Sequence, residues 1–118
     1  SDGTNNNRII IRYVAGSSNL LGMFVKIGGA TQVAINFNTD ITINTKVALK
    51  YKLNDYALWV NGVKVGVDLN ALVPIPSTLN ELKFSNGDGG DKFYGKNKAL
   101  AVYKTALTDE QLQDLTTL

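Results

Sequence analysis

The sequence contains no cysteine and no histidine. Without cysteine the chain can form neither a disulfide nor a thiolate nucleophile. Without histidine it lacks the commonest zinc ligand and the general base of Ser-His-Asp hydrolases. A strand that carries two closely spaced carboxylates, as a retaining glycosidase needs, is absent as well. We therefore expect a protein that is not an enzyme.

Long apolar runs and strong net charge are also missing. No stretch of about 18 apolar residues occurs, and polar Ser1–Arg8 does not look like the start of a signal peptide, so we expect no membrane insertion. The net charge is +2 with lysines spread along the sequence, which argues against nucleic acid as a partner. The 118 residues, 44% of them hydrophobic, suit a single domain spanning residues 1–118.

Polar and apolar residues alternate in short segments, and each segment ends at Gly, Asn, Asp or Pro. This pattern is typical of half-buried strands separated by turns. One such turn is predicted at residues 15–19. The predicted strands are 8–14, 20–27, 32–37, a short one at Ile41 and Ile43, 47–53, a hairpin over 56–67, 81–85 and 98–103.

Asn61-Gly62, between two apolar runs, predicts a two-residue type I′ hairpin. Regular pairing of the two strands outward from this turn then gives a continuous apolar face. It leaves Trp59 on the opposite face, across from Lys64. The predicted apolar pairs are Val60 with Val63, Leu58 with Val65, and Tyr56 with Val67.

The end of the chain changes to a helical period. Thr108 and Gln111 form a capping-box pattern, and Leu107, Leu112 and Leu115 lie on one predicted stripe. These features predict one short C-terminal α-helix that docks on the sheet. The expected fold class is therefore all-β, an antiparallel β-sandwich of jelly-roll type with one short C-terminal α-helix.

Two stretches, Lys46–Gly62 and Tyr94–Leu112, resemble parts of concanavalin A-like lectin/glucanase domains of the laminin-G type. They are similar to the strand, the Asn-Gly hairpin and the closing strand plus helix of copies in bacteriophage tail and virion proteins and in bacterial surface proteins. The resemblance implies a location on a virion or at the extracellular cell surface. In that family a loop like Ser1–Asn7 follows at least one strand, so the resemblance also implies that the first strands are lacking. Either the sheet is complete without them, or an edge is open to a neighbouring chain, to a second copy in a homo-oligomer, or to a further segment of the same protein.

A glycine-rich turn carries the first candidate site. Asn86, Asp88 and Asp91 offer amide and carboxylate oxygens that can bind sugar hydroxyls, and Asp88 with Asp91 can bind calcium. The alternative is that the glycines supply positive φ angles while these side chains satisfy local backbone donors.

Two aromatic residues complete the candidate set. Trp59 and Tyr94 can each stack on a sugar ring. The alternative for Trp59 is burial under the other layer, the terminal helix or a neighbouring chain, since an indole carries much apolar surface. Lys50, Lys52 and Lys64 are predicted on one outward surface, where they either meet an anionic partner or form a solvated sheet face.

Three functions fit these observations. The leading interpretation is a non-catalytic glycan-binding or attachment module that belongs to a virion or cell-surface protein. The second is a purely structural or oligomerisation module of a phage fibre or surface protein, without a ligand of its own. The third is an accessory domain of a carbohydrate-active enzyme. The fold class alone does not choose among them.

Overall fold

The computed structural model describes residues 1–14, 19–40 and 42–118. Most of the predicted turn at 15–19 and Ile41 of the predicted short strand lie outside the described residues. Ile43, the other half of that short strand, lies in a bend rather than a strand. The observed elements are β1 Arg8–Tyr13, β2 Leu20–Ile27, β3 Ala30–Asn38, β4 Val47–Lys50, β5 Tyr56–Val60, β6 Val63–Asp68 and α1 Asp109–Thr116.

The strands form two antiparallel three-stranded sheets, with orders β1-β2-β3 and β4-β5-β6. Two hairpins rest on tight turns: Gly28 and Gly29 have φ angles of 58° and 82°, and Asn61 and Gly62 have 49° and 82°. These left-handed angles suit Gly and Asn, which explains why the chain reverses there. The mostly-β class with one short helix is confirmed. Among the described strands, neighbours in each sheet are consecutive in sequence, and none of these strands is connected by the crossovers typical of a jelly roll.

One apolar cluster joins the two sheets. Met23, Val25 and Val33 of the first sheet and Tyr56 and Leu58 of the second are each at most 1% exposed and belong to the same buried cluster. The Tyr56 hydroxyl donates to a backbone carbonyl 2.9 Å away, so its polar end is satisfied. Among the described residues no helix has the length and apolarity that a bilayer crossing requires.

The predicted Asn61-Gly62 turn is confirmed, and Val60 pairs with Val63 as expected. The Asn61 side chain accepts a hydrogen bond from the Lys46 backbone N–H at 2.8 Å, which ties the turn to β4. The turn therefore determines both the geometry of the hairpin and the position of the neighbouring strand β4.

Trp59 pairs with Lys64 as predicted, but beyond that pair the predicted register is wrong by one residue. Leu58 pairs with Gly66 rather than with Val65, because a bulge adds one residue to β6. The bulge brings Gly66 against the first sheet, where a Cβ would overlap the side chain of Ile35. A residue without a side chain is thus needed at the sheet contact. As a result Tyr56 pairs with Asp68 rather than with Val67, and Val67 is 52% exposed. Val63 precedes the bulge and pairs as predicted, yet it is 60% exposed, so the buried apolar face does not extend to it.

The predicted helix cap is confirmed. The Gln111 N–H donates to the Thr108 hydroxyl at 3.3 Å, and the Thr108 N–H donates to the Gln111 side chain at 2.9 Å. Both bonds satisfy backbone donors that the first helical turn leaves without partners. The helix therefore begins where the sequence indicates.

The buried stripe of α1 differs from the prediction. Leu112 is 4% exposed and packs with Ala57 and Trp59, and Leu107 packs against the same cluster. Leu115, however, is 45% exposed, and its expected place is taken by Thr116 at 2%. The Thr116 hydroxyl accepts from the Gly62 N–H at 3.1 Å and donates to the Leu112 carbonyl at 2.7 Å. This polar contact with the β5–β6 turn rotates the buried face toward Leu112 and Thr116.

Two predicted strands, 81–85 and 98–103, are wrong, because both segments are irregular in the structure. One backbone bond, from the Phe93 N–H to the Phe84 carbonyl at 2.9 Å, links the two arms around the glycine-rich turn. Side chains over 96–106 are exposed, Leu100 and Val102 among them. The alternating pattern is present there, but neither segment reaches a sheet edge. The predicted strand 47–53 is also shortened, since β4 ends at Lys50.

Candidate functional site

The glycine-rich turn is compact. The Asn86 N–H donates to the Gly90 carbonyl at 2.8 Å, and the Gly89 N–H donates to the Asn86 carbonyl at 2.9 Å. Gly89 and Asp91 have φ angles of 89° and 41°, in the left-handed region. Of the three glycines in the turn, only Gly89 has the positive φ that the conformational alternative predicts, and Gly87 and Gly90 do not.

The acidic side chains of this turn have protein partners. The Asp88 carboxylate accepts from the Asn5 side-chain amide at 2.5 Å and from the Gly90 N–H at 2.9 Å. The Asp91 carboxylate accepts from the side-chain amide of Asn86. The oxygens predicted to bind sugar or calcium therefore hold the turn together and hold it to the N-terminal segment.

Arg8 lies beside these groups and was not singled out by the sequence. It is 9% exposed, and its Nη1 donates to the side-chain oxygens of Asn5 at 2.5 Å and Asn86 at 3.1 Å. Its Nε has no hydrogen-bond partner among the residues that the structure describes. A guanidinium bound to Asn86 repels a divalent cation at the same oxygen. No group of three acidic residues within the described part of the chain is placed to hold a metal, so the arrangement does not suit calcium.

The N-terminal segment itself is ordered by side-chain bonds. The carboxylate of Asp2 accepts from the Thr4 hydroxyl at 2.7 Å and from the Asn7 amide at 2.8 Å, and these bonds lower the pKa of Asp2 below its usual value. The carbonyl of Thr4 lies so close to Gly87 that a Cβ there would overlap it. The Asn-rich composition of residues 1–7 indicates a turn, but no local pattern reveals contact with a turn some eighty positions away.

Trp59 is covered by the terminal helix. It is 5% exposed and packs with Ala57 and Leu112, while the Lys64 ammonium lies 5.4 Å from the ring centroid. An indole in this position has no face for a sugar ring, so the candidate role of Trp59 in stacking is wrong. The alternative prediction of burial under the helix is confirmed.

Tyr94 is 92% exposed. Its neighbour Phe93 packs against Tyr13 of β1 and Phe84, with ring centroids 6.2 Å apart in each pair. Phe93 thus anchors the turn to the first sheet, and the Tyr94 ring projects into solvent.

Two of the three lysines predicted on one surface are paired with the helix. Lys50 lies 2.8 Å from Asp55 and 3.1 Å from Asp109, and Lys64 also contacts Asp109. The hydrogen bonds from Lys64 and Lys50 lower the pKa of Asp109. Lys52 is exposed. The anionic partner of this surface is thus, in large part, the first turn of α1.

A large cleft that the sequence did not reveal lies between the open edges of β1 and β4 and residues 81–107, here called the strap, which touches β1 where Phe93 packs against Tyr13. The cleft has a volume of about 1,560 Å³. Exposed apolar residues of the strap, Leu82, Phe84 and Leu100 among them, line one side. The two predicted strands that do not form belong to this strap.

The comparisons with known proteins give one structural likeness. No family model matches the chain, and no curated protein matches it. A crystal structure of an S-layer domain-containing protein from Clostridium thermocellum, residues 221–444, is similar with a TM-score of 0.53 and 14% sequence identity. The alignment covers 95% of this chain and 64% of that structure. At this identity the likeness shows a shared fold, and the chain spans about two thirds of the other structure.

Proposed function

We propose that this chain is a non-catalytic structural module of a cell-surface protein, which acts through contacts with other polypeptide segments rather than by binding a sugar. One observation carries this proposal. The polar atoms of the glycine-rich turn that would bind a ligand are bonded to each other and to the N-terminal segment, as Asp88 is to Asn5. The similar S-layer domain-containing structure supports the cell-surface location.

We also propose that the two sheets belong to a concanavalin-like sandwich. The Asn61-Gly62 hairpin and the capped helix at Thr108 are two features on which the family resemblance rests, and both are present. The shared core cluster between the sheets is what a sandwich requires.

The absence of catalysis is part of the proposal. The chain contains neither histidine nor cysteine. The carboxylates of Asp88 and Asp91 accept hydrogen bonds within their own turn, and Asp109 is bonded to two lysines. Glycoside hydrolysis typically needs two carboxyl groups that face one cleft with separate protonation states, and nothing in these contacts supplies such a pair.

A glycan array probed with the intact chain, with and without added calcium, tests the proposal. We expect no sugar to be retained above background under either condition. Asp88→Ala should lower the unfolding midpoint, because the Asn5 and Gly90 donors lose their acceptor, whereas Asp114→Ala truncates an exposed carboxylate and should change it little. Sugar binding that Asp88→Ala abolishes at an unchanged midpoint would refute the structural role.

A glycan-binding attachment module is the second candidate, and the 92% exposure of Tyr94 favours it. If the array detects a sugar, Tyr94→Ala should abolish that binding. Tyr51→Ala, which removes a tyrosine that is 43% exposed, should leave it intact. Equal binding by both variants would exclude Tyr94 as the sugar platform.

A further inference from the structure

We propose that the cleft between β1, β4 and the strap binds an extended, acidic segment of a neighbouring protein, which adds a strand to the open edge of β1. This inference rests on the proposed function and names the partner by its chemistry. It is carried by the hydrogen-bonding direction of the strand edges, by the two faces of β1, and by the charge and size of the cleft.

The backbone groups of the β1 edge point into the cleft. The Val14 N–H donates to the Leu20 carbonyl at 2.8 Å, so Val14 and every second residue before it face β2. Ile9, Ile11 and Tyr13 therefore turn their N–H and C=O groups outward. None of these groups has a hydrogen-bond partner within the described part of the chain. A row of such groups is a template for strand addition.

The same holds for β4. The Lys46 carbonyl accepts from the Asn61 N–H at 2.9 Å, which orients residues 46, 48 and 50 toward β5. Val47 and Leu49 then present their backbone groups to the cleft, and both residues line it. The cleft is thus bordered by the unpaired edge of each sheet.

The two faces of β1 specify what an added strand carries. Ile11 and Tyr13 pair with buried core residues of β2, yet they are 42% and 44% exposed, because no strand lies beside them. Apolar side chains on one face of an added strand would cover them. The opposite face of β1 carries exposed Arg12, beside which an acidic side chain is stabilised. The complementary segment therefore alternates apolar and acidic residues.

The charge of the cleft points the same way. Nine of the chain's twelve Lys and Arg residues line it, against two of its ten Asp and Glu residues. Several of these cations are exposed and form no ion pair within residues 1–14, 19–40 and 42–118. These are Arg12, Lys92, Lys96, Lys98 and Lys104.

The size of the cleft suits a polypeptide. Its 1,560 Å³ exceeds the range of about 300–1,000 Å³ for small-molecule sites. The chain exposes 7565 Å², about 1,300 Å² more than a folded protein of this mass. A stable interface buries about 800 Å² on each partner, so covering the cleft provides enough area for one.

The positive charge of the cleft also favours an acidic segment over two other possible occupants, the strap itself and a second copy of the chain. The strap carries five lysines, so its closure onto β1 would bring them toward Arg8 and Arg12. A second copy of the chain would bring another cleft of the same sign. An acidic segment avoids both repulsions.

The test uses a fluorescein-labelled peptide of about ten residues, the upper length of an ordinary strand, in which valine and glutamate alternate. Fluorescence anisotropy with the intact chain should show binding that weakens as salt is added. A peptide with lysine in place of glutamate should not bind. Lys96→Glu combined with Lys98→Glu should weaken binding about tenfold or more. The control, Lys26→Glu with Lys52→Glu, makes the same charge change outside the cleft and should have little effect.

The backbone edge is tested separately. Ile11→Pro removes an N–H that points into the cleft and leaves the bonds to β2 in place, so it should abolish peptide binding. Ile11→Ala keeps that N–H and should retain binding. Amide exchange at Ile9, Ile11 and Tyr13 should slow when the peptide is added.

Four results would overturn the inference. The first is slow amide exchange at Ile11 in the free chain, which would mean that the strap already pairs with β1, and the second is the absence of any peptide binding. The third is the formation of dimers in sedimentation without peptide binding, which would make a second copy the occupant. The fourth is equal affinity for dextran sulfate and the peptide, which would mean that the cleft is a general anion-binding surface. Failure of this test leaves the glycan-array result standing, since the array does not depend on the cleft.

Discussion

Replacement of Leu112 by alanine tests how the terminal helix is held. Leu112 is 4% exposed and packs with Ala57 and Trp59, so truncation removes a buried side chain and leaves a cavity between helix and sheet. Leu→Ala changes at buried sites cost about 2–5 kcal/mol. For a chain of 118 residues, with an unfolding entropy of about 2.1 cal/mol/K per residue, each kcal/mol corresponds to a fall of roughly 4 °C in the unfolding midpoint.

The matched control is Leu115→Ala in the same helix. Leu115 is 45% exposed, so its truncation should cost well under half as much as that of Leu112. Both changes replace leucine by alanine on one helix, and so helix propensity cancels from the comparison.

Urea unfolding monitored by tryptophan fluorescence measures both variants. The chain has one tryptophan, and Trp59 lies under the helix, so its emission reports the docking directly. In a chain truncated after residue 108 the emission should shift to longer wavelength. Equal stabilities of the two alanine variants, or unchanged emission after truncation, would refute the packing described here.

Two further predictions concern a close contact and an ion pair. Gly66→Ala should destabilise the chain, because the added Cβ overlaps Cγ2 of Ile35. The double change with Ile35→Ala, which removes that Cγ2, should cost less in thermal unfolding than the sum of the two single changes. The pKa of Asp109 is lowered by its bonds to Lys64 and Lys50, so its contribution to stability is present above the ordinary carboxyl pKa of about 3.9 and is lost as pH falls through the lower folded-state pKa. Asp109→Asn should therefore flatten the acid limb of the midpoint-against-pH curve, and an identical acid limb would show that the pair is not linked to folding.

Local patterns predicted much of the fold. The Asn61-Gly62 hairpin and the Thr108 cap depend on residues adjacent in sequence, and both are observed. The bulge at Val65 was missed because its cause is the contact of Gly66 with a strand some thirty positions earlier. Strands over 81–85 and 98–103 were predicted from alternation alone. Alternation indicates which faces are apolar, but pairing requires an edge within reach, and here none is reached.

The candidate site was predicted less well. The local composition correctly predicted that Asp88 and Asp91 belong to one tight turn. Their role, however, depends on their hydrogen-bond partners. Arg8 and Asn5 come from the other end of the chain, and no spacing rule links residues that far apart. Trp59 was placed on the correct sheet face, and its burial follows from the helix docked over that face.

The cover that α1 provides over Trp59 also bears on how the chain is made. Synthesis proceeds at about 5–20 residues per second, so roughly 3–11 s pass between the emergence of β5 and the completion of the helix. During that interval the sheet face formed by Ala57 and Trp59 is a bare apolar surface on a nascent chain. Docking of the eight-residue helix α1 covers this surface and so protects the chain from aggregation. Chains released before α1 is synthesised lack that protection.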